Sequence, residues 1–323
     1  MQNQRYKTVI FSALGEKSFT EEQVIRLKKH CDVSFFESIK SMDKETFIKK
    51  ASGFDIVAVT RRSIKDVDKE LIDRLTALKH LIVYSTGYEW IDLDYLNQKN
   101  ILLSNLPEYC TRSVAEHTVG LILVLATRLH LTMDYARGVI SEHVSLRGFE
   151  LKDKTVGIMG LGRIGHLIAK LLAPFEMHIQ YYDIQQRESQ FAVYTPFEDL
   201  LKTSDYIVVM ANKIRNAPPL LTDKELSMVK MNCFIINTAR ADHVDHIAMI
   251  KAIKEKKVYG YAVDDTPEEL LVDPTLEPGR VIMTAHTAWY TTEAIKKGTE
   301  DWVDCIIAAS TGQPRNIIRK WGD

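Results

Sequence analysis

The stretch from Thr155 to Leu172 most tightly limits what this chain can become. An apolar run, Thr155-Val-Gly-Ile-Met159, meets Gly160-Leu-Gly162-Arg163-Ile164-Gly165 and continues as a helix-forming segment. A strand that turns on glycines straight into a helix opens a βαβ unit. Gly160 permits the tight turn, Gly162 lets the backbone approach a bound group, and Gly165 allows helix and strand to pack closely. The N–H groups of the new helix, among them those of Arg163 and Ile164, together with its dipole favour an anion. A lone GxGxxG is weak evidence, since a glycine-rich turn reads the same way. Here the next strand ends in Tyr181-Tyr182-Asp183, about 20 residues beyond the glycines, where a ribose-binding acid belongs. The spacing predicts a dinucleotide site. Asp183 repels a 2′-phosphate and accepts from ribose hydroxyls, which favours NAD over NADP, although Arg187 nearby pulls the other way.

The rest of the chain repeats the alternation that such a unit needs. Ahead of it, strand-like runs occupy Lys7 to Ala13, Asp32 to Ser38, Asp55 to Thr60, His80 to Ser85 and Ile101 to Asn105. Helical patterns separate them, such as Thr20 to His30, where Thr20 and Gln23 stand in capping-box spacing. Behind it come Met177 to Tyr182, Asp205 to Met210, Cys233 to Asn237, Val258 to Val263 and Val281 to Thr284. A long helical segment from about Ser113 to Leu131 lies between the two series. A closing one, Thr292 to Ser310, has no strand of its own in the second series and can return to the first. The pattern predicts an α/β chain with two Rossmann- or flavodoxin-like parallel sheets, and 323 residues are enough for two domains.

Composition narrows the function classes. A formal net charge of -1 offers no bulk attraction to nucleic acid or to an anionic membrane. Cys31, Cys110, Cys233 and Cys305 form no CxxC pair, which suits reduced thiols in a cytoplasm better than a disulfide framework or a zinc knot. Asp242, His243, Asp245 and His246 read as a polar helix start capped by Asp245 rather than as ligands, so no metal is expected. The first residues lack the apolar core of a signal peptide, and the longest apolar run, Val119 to Ala126, is too short to span a bilayer. The expectation is a cytoplasmic protein with no nucleic-acid or membrane partner.

Several further segments, in one fixed order, resemble the D-isomer-specific 2-hydroxyacid dehydrogenase family. They are Ser85-Thr86-Gly87-Tyr88 through Asp92, Pro107 through Thr118, Asn237-Thr238-Ala239-Arg240, Ala262-Val-Asp264 through Glu269, Thr284-Ala-His286-Thr-Ala-Trp289-Tyr290, and Gly312 through Ile318. The likeness covers most of the chain. It implies a discontinuous substrate-binding domain, 1–105 plus 290–323, and an NAD-binding Rossmann domain, 106–289, with a cleft between them. It implies a homodimer through the long helix and the arm from Met133 to Gly148. It adds Thr118, Thr238, Ala239 and Asp264 to the cofactor contacts, and places substrate contacts at Thr86, Gly87, Tyr88, Tyr109 and Trp289. The family's catalytic arginine, glutamate and histidine fall on Arg240, Glu269 and His286.

Those three residue types suit the chemistry in their own right. A 2-oxo acid needs its carboxylate and carbonyl oxygen held and polarised, and a guanidinium presents a rigid fork of donors. Hydride arriving at the carbonyl carbon requires a proton at the oxygen, and histidine titrates where it can give or take one. A carboxylate on its far nitrogen stabilises the imidazolium. The bland alternatives are a salt-bridging Arg240, a core histidine at 286, and a solvated acidic loop at 267–269 in which Glu268 rather than Glu269 is the partner. Arg240 and His286 are expected on adjoining strand tips. The chain departs from the family pattern at Ala241, Ala285, Asp265-Thr266 and Met210-Ala-Asn-Lys-Ile214, which bears on cofactor affinity and substrate choice. The expected function is NAD-dependent interconversion of a small 2-oxo acid and its D-2-hydroxy acid. The alternative is an NAD-responsive regulatory protein on the same fold.

Overall fold

The structure is a computed structural model that describes residues 6–140, 144–271, 273 and 275–320. It divides into two compact units, Met1–Cys110 with Thr292–Asp323, and Thr111–Thr291. In the first, β1 (Lys7–Ser12), β2 (Asp32–Glu37), β3 (Ile56–Thr60), β4 (His80–Tyr84) and β5 (Leu102–Ser104) are parallel in the order β5-β4-β3-β1-β2. Its central strands are covered on both faces, so Val9 to Phe11, Val57 to Val59 and Leu81 to Val83 are all buried, and their apolar runs do not alternate. The helix Glu21–His30 begins at the expected capping box: the Gln23 N–H donates to Thr20 Oγ1 (3.3 Å) and the Thr20 N–H to Gln23 Oε1 (3.0 Å). The helix Thr292–Ser310 belongs to this unit, burying Trp302, Val303 and Ile306.

The second unit holds β6 (Thr155–Met159), β7 (His178–Tyr182), β8 (Val193–Tyr194), β9 (Tyr206–Val209), β10 (Cys233–Asn237), β11 (Val258–Val263) and β12 (Val281–Met283). Their order is β12-β11-β10-β9-β6-β7-β8, all parallel. The direction of winding reverses between β6 and β9, and open α/β sheets bind ligands beyond the carboxyl ends of the strands at such a reversal. A last short strand, β13 (Ile317–Ile318), runs antiparallel beside β5 in the first unit. Apart from β13, both sheets are the parallel α/β layers that the alternation predicts.

Two expectations need correction. The segment from Ser113 to Leu131 is not one helix but two, Thr111–Thr127 and Leu129–Ala136, bent by 63°. Arg128 takes a left-handed conformation (φ 55) at the break, which turns its buried guanidinium over the Tyr259 ring, 5.4 Å from the centroid. Among the described residues no single helix is long and apolar enough to cross a membrane, although this bent pair passes by length and composition. The second correction concerns strand order at the candidate site and is described there. The arm from Met133 to Gly148 includes residues 141–143, and these, like residues 1–5 of the N-terminal reading, lie outside the described residues.

His80, at the start of β4, is buried, and its Nε2 lies 2.9 Å from Ser104 Oγ, which in turn donates to the Arg315 carbonyl (2.6 Å). That leaves the imidazole as the donor. Burial pushes its pKa down from 6.5 to about 4. In that interval the unfolded chain takes up a proton that the native chain does not, so stability falls as pH drops through it and the loss is complete below the native value. Urea denaturation between pH 7 and pH 4 should show His80→Leu retaining up to about 3 kcal/mol more of its neutral-pH stability than the unaltered chain does. Equal acid sensitivity in the two proteins would contradict a buried neutral His80.

Candidate active site

The glycine turn is built as its sequence demands. Gly160 sits at the end of β6 with φ +102, and a Cβ there would lie 2.7 Å from the Met210 carbonyl oxygen. A Cβ on Gly165 would stand 2.2 Å from the Gly160 carbonyl oxygen, so helix Arg163–Leu172 can approach β6 only without one. A Cβ on Gly162 would meet nothing within 4 Å. Gly162 is also the N-cap of that helix and gives no side-chain cap, so the first-turn N–H groups of Arg163, Ile164 and Gly165 receive none from it. Such a cradle fits a dinucleotide pyrophosphate. Asp183, just past β7, is fixed beside it: Oδ2 accepts from the Leu161 N–H at 2.9 Å and lies 3.5 Å from Arg187 Nε.

Three consecutive strands carry the other expected residues at their carboxyl ends. Asn237 ends β10, and its side chain shapes the turn that follows: Nδ2 donates to the Arg240 carbonyl (2.7 Å) while Oδ1 accepts from the Ala239 N–H (3.2 Å). Arg240 is half-buried and its Nη1 donates to the Ala239 carbonyl at 2.8 Å. Thr238 Oγ1 lies 2.6 Å from the buried Thr118 Oγ1, which donates to the Val114 carbonyl and so accepts from Thr238.

Asp264 follows β11 and is 8% exposed. Its carboxylate accepts from Thr284 Oγ1 (2.7 Å) and from the N–H groups of Thr287 (2.8 Å) and Ala288 (2.9 Å). These donors bracket His286, three residues past β12. His117 Nε2 stands 3.3 Å from the Thr284 hydroxyl, which has given its proton to Asp264 and can only accept. His286 itself takes φ +55, and its N–H donates to the Thr284 carbonyl at 2.8 Å. A left-handed non-glycine residue held by its surroundings is a conformation that functional sites often store. Arg240 and His286 are therefore not on adjoining tips, because β11 runs between β10 and β12. That intervening strand supplies Asp264, the carboxylate that clamps the His286 turn.

Glu269 lies in the short helix Glu268–Leu271, exposed, with Oε2 3.9 Å from His246 Nδ1. Burial lowers the His246 pKa, against the raising charges of Glu269, Asp245, Asp265 and Asp242. Asp245 does cap the helix His246–Lys254, accepting from the Ala248 N–H at 3.0 Å. Trp289 packs edge-on against Tyr290 at 5.2 Å.

In the first unit the loop after β4 is tied down through its carbonyls. Asn105 Nδ2 donates to the Thr86 oxygen (2.8 Å), and Ser85 Oγ to the Gly87 oxygen (2.7 Å). Tyr88 is buried in that unit's core, and Tyr109 is buried edge-on against Tyr84, 5.3 Å away. Sequence reasoning singled out neither His117 nor Lys213. For Lys213 the polar residues of the loop 210–214 were the available signal, since a lysine in the loop that leaves a fully buried strand needs oxygen partners if it is buried too.

Comparison with known proteins places these features in context. Residues 119–288 match the family model described as D-isomer specific 2-hydroxyacid dehydrogenase, NAD binding domain. The chain is 32% identical over 307 residues to a glyoxylate reductase of Thermofilum pendens, covering 91% of this chain and 90% of that protein. Among solved structures, D-lactate dehydrogenase from Aquifex aeolicus, complexed with NAD and lactic acid, superposes with TM-score 0.82 at 25% identity, covering 97% of this chain and 99% of the other. An acyclic imino acid reductase in complex with NADPH and D-Arg superposes with TM-score 0.83 at 26% identity, covering 96% and 99%.

Proposed function

The chain belongs to the D-isomer specific 2-hydroxyacid dehydrogenase family and is an NAD(P)-dependent oxidoreductase of that type; on this premise we propose that it uses NAD to interconvert a small 2-oxo acid and its D-2-hydroxy acid. The observation that carries the reading is the placement of Arg240, Asp264 and His286 just beyond the carboxyl ends of three neighbouring parallel strands, in the unit whose glycine turn fits a dinucleotide. The nicotinamide, when bound, supplies or receives the hydride. The chain's own residues do the rest.

In this reading the N–H groups of Arg163, Ile164 and Gly165 hold the pyrophosphate, and Asp183 takes the ribose hydroxyls. A carboxylate there repels a 2′-phosphate, which is the ground for NAD over NADP. Thr118, Thr238, Ala239 and Asp264 are the remaining proposed cofactor contacts. Arg240 binds the substrate carboxylate and polarises the carbonyl oxygen. His286 gives its proton to that oxygen during reduction and takes it back during oxidation, and Glu269 favours the imidazolium form. Thr86, Gly87, Tyr88, Tyr109 and Trp289 are proposed to contact the substrate, and the working form to be a homodimer.

The test is turnover. Purified protein with NADH and a series of 2-oxo acids, from glyoxylate and pyruvate to longer side chains, should consume the nicotinamide absorbance, with kcat/KM higher for NADH than for NADPH. Tight NADH binding without turnover of any oxo acid would replace this reading with an NAD-responsive regulatory protein.

A further inference from the structure

Just past β9, Lys213 is a lysine whose side chain is only 4% exposed. Its Nζ donates to the Ala217 carbonyl (2.8 Å) and to the Asp242 carbonyl (3.1 Å), and lies 3.3 Å from Asp242 Oδ2. One residue further along that turn, His243 is 2% exposed, and its Nε2 lies 2.9 Å from the Ala211 carbonyl. A carbonyl only accepts, so the imidazole donates. Burial lowers the His243 pKa and the Lys213 and Arg240 charges act with it, outweighing the raising effects of the Ala211 hydrogen bond and the Asp242 charge, so the neutral ring is favoured and serves as a fixed donor. The two side chains therefore stitch the segment 211–217 to the turn 240–243 from opposite ends.

Both ends of this stitch matter. The Ala211 side faces the cofactor turn, since a Cβ on Gly160 would lie 2.7 Å from Met210 O and 2.9 Å from Ala211 Cα. The other end is the Arg240 turn, whose carbonyl accepts from the His243 N–H at 3.1 Å. Burying an ammonium costs several kcal/mol unless oxygens surround it, so a lysine kept here has a geometric consequence. We propose that Lys213 and His243 are positioning residues that brace the Arg240 guanidinium against the dinucleotide turn and so set the affinity for the 2-oxo acid. The inference rests on the role proposed above for Arg240.

The test compares the unaltered chain with Arg240→Met, Lys213→Met, His243→Leu, His243→Gln and the Lys213→Met/His243→Leu double variant. Steady-state KM and kcat for glyoxylate are read at saturating NADH, with NADH affinity by fluorescence titration and Tm alongside. A group displaced by about 1 Å can cost as much as ~100-fold, so Lys213→Met and His243→Leu should raise the glyoxylate KM by roughly tenfold or more. NADH affinity should fall by a smaller factor than glyoxylate affinity does, because the helix Arg163–Leu172, whose N–H groups are proposed to hold the pyrophosphate, is not part of the brace. His243→Gln should recover most of the loss, since its amide N–H can replace Nε2–H. The double variant should lose no more than the worse single one, as expected of residues acting through one brace. A lowered Tm with unchanged glyoxylate KM, or His243→Gln behaving as His243→Leu, overturns the brace. If Arg240→Met turns over glyoxylate as well as the unaltered chain does, the reading of Arg240 fails and the brace falls with it. If Arg240→Met is inactive while both brace variants keep their KM, only the brace fails. The His243 pair decides the matter alone should Lys213→Met not fold.

Discussion

Replacing His286 with alanine should lower the rate of 2-oxo acid reduction by ~10²–10⁴-fold, the usual contribution of a positioned proton donor, while leaving NADH binding intact. The left-handed turn at φ +55 complicates the variant, because any change at that position also alters the backbone preference. His286→Asn separates the two effects. Asparagine tolerates the left-handed region, so the turn clamped by Asp264 should persist, but its amide cannot shuttle a proton. Both variants should bind NADH with near-native affinity, and both should be inactive. An active His286→Asn protein would show that the turn, rather than the imidazole, is what turnover needs.

The second large effect separates two glycines three residues apart. A methyl at Gly165 collides with the Gly160 carbonyl, so Gly165→Ala should destabilise the unit by ~1–3 kcal/mol and weaken NADH binding by distorting the turn. A methyl at Gly162 meets no protein atom within 4 Å, so Gly162→Ala should change stability by less than ~0.5 kcal/mol. It should still weaken NADH binding by at least ~tenfold, about 1.4 kcal/mol, because the methyl occupies the space proposed for the pyrophosphate. Thermal melts with and without NADH read both quantities. A Gly162→Ala protein that keeps native NADH affinity would remove the pyrophosphate from that position.

Much of this architecture was legible in the residues. In a parallel sheet covered on both faces the strands are uninterrupted apolar runs, and for that reason β6, β10 and β11 fall where the sequence places them. The glycine turn was legible because Gly160 and Gly165 answer steric demands of the fold, while Gly162 leaves open the space that a bound group would need. Periodicity did not reveal β8 or β13, whose two residues each are too few to show a period, so their pairing comes from tertiary context. Nor did it reveal the break at Arg128, since a single left-handed residue between two good helical stretches leaves no trace in a hydrophobic pattern. The positions of Arg240, Asp264 and His286 just beyond apolar strands were readable. Their strand order was not, because neighbours along the chain need not be neighbours in a sheet. Lys213 stood out only as part of a departure from the family pattern and His243 only as part of a polar helix start, because the hydrogen bonds of Lys213 to Asp242 and of His243 to Ala211 join segments about 30 residues apart in sequence, beyond the reach of a local pattern.

The most direct measurement uses NADH carrying deuterium at the transferable position of C4, mixed with pyruvate and the unaltered protein, with the product analysed by mass and by chiral separation. The expected product is lactate of the D configuration with one deuterium at C2, with a matching loss of reduced nicotinamide. L-lactate, or D-lactate without the label, would contradict it.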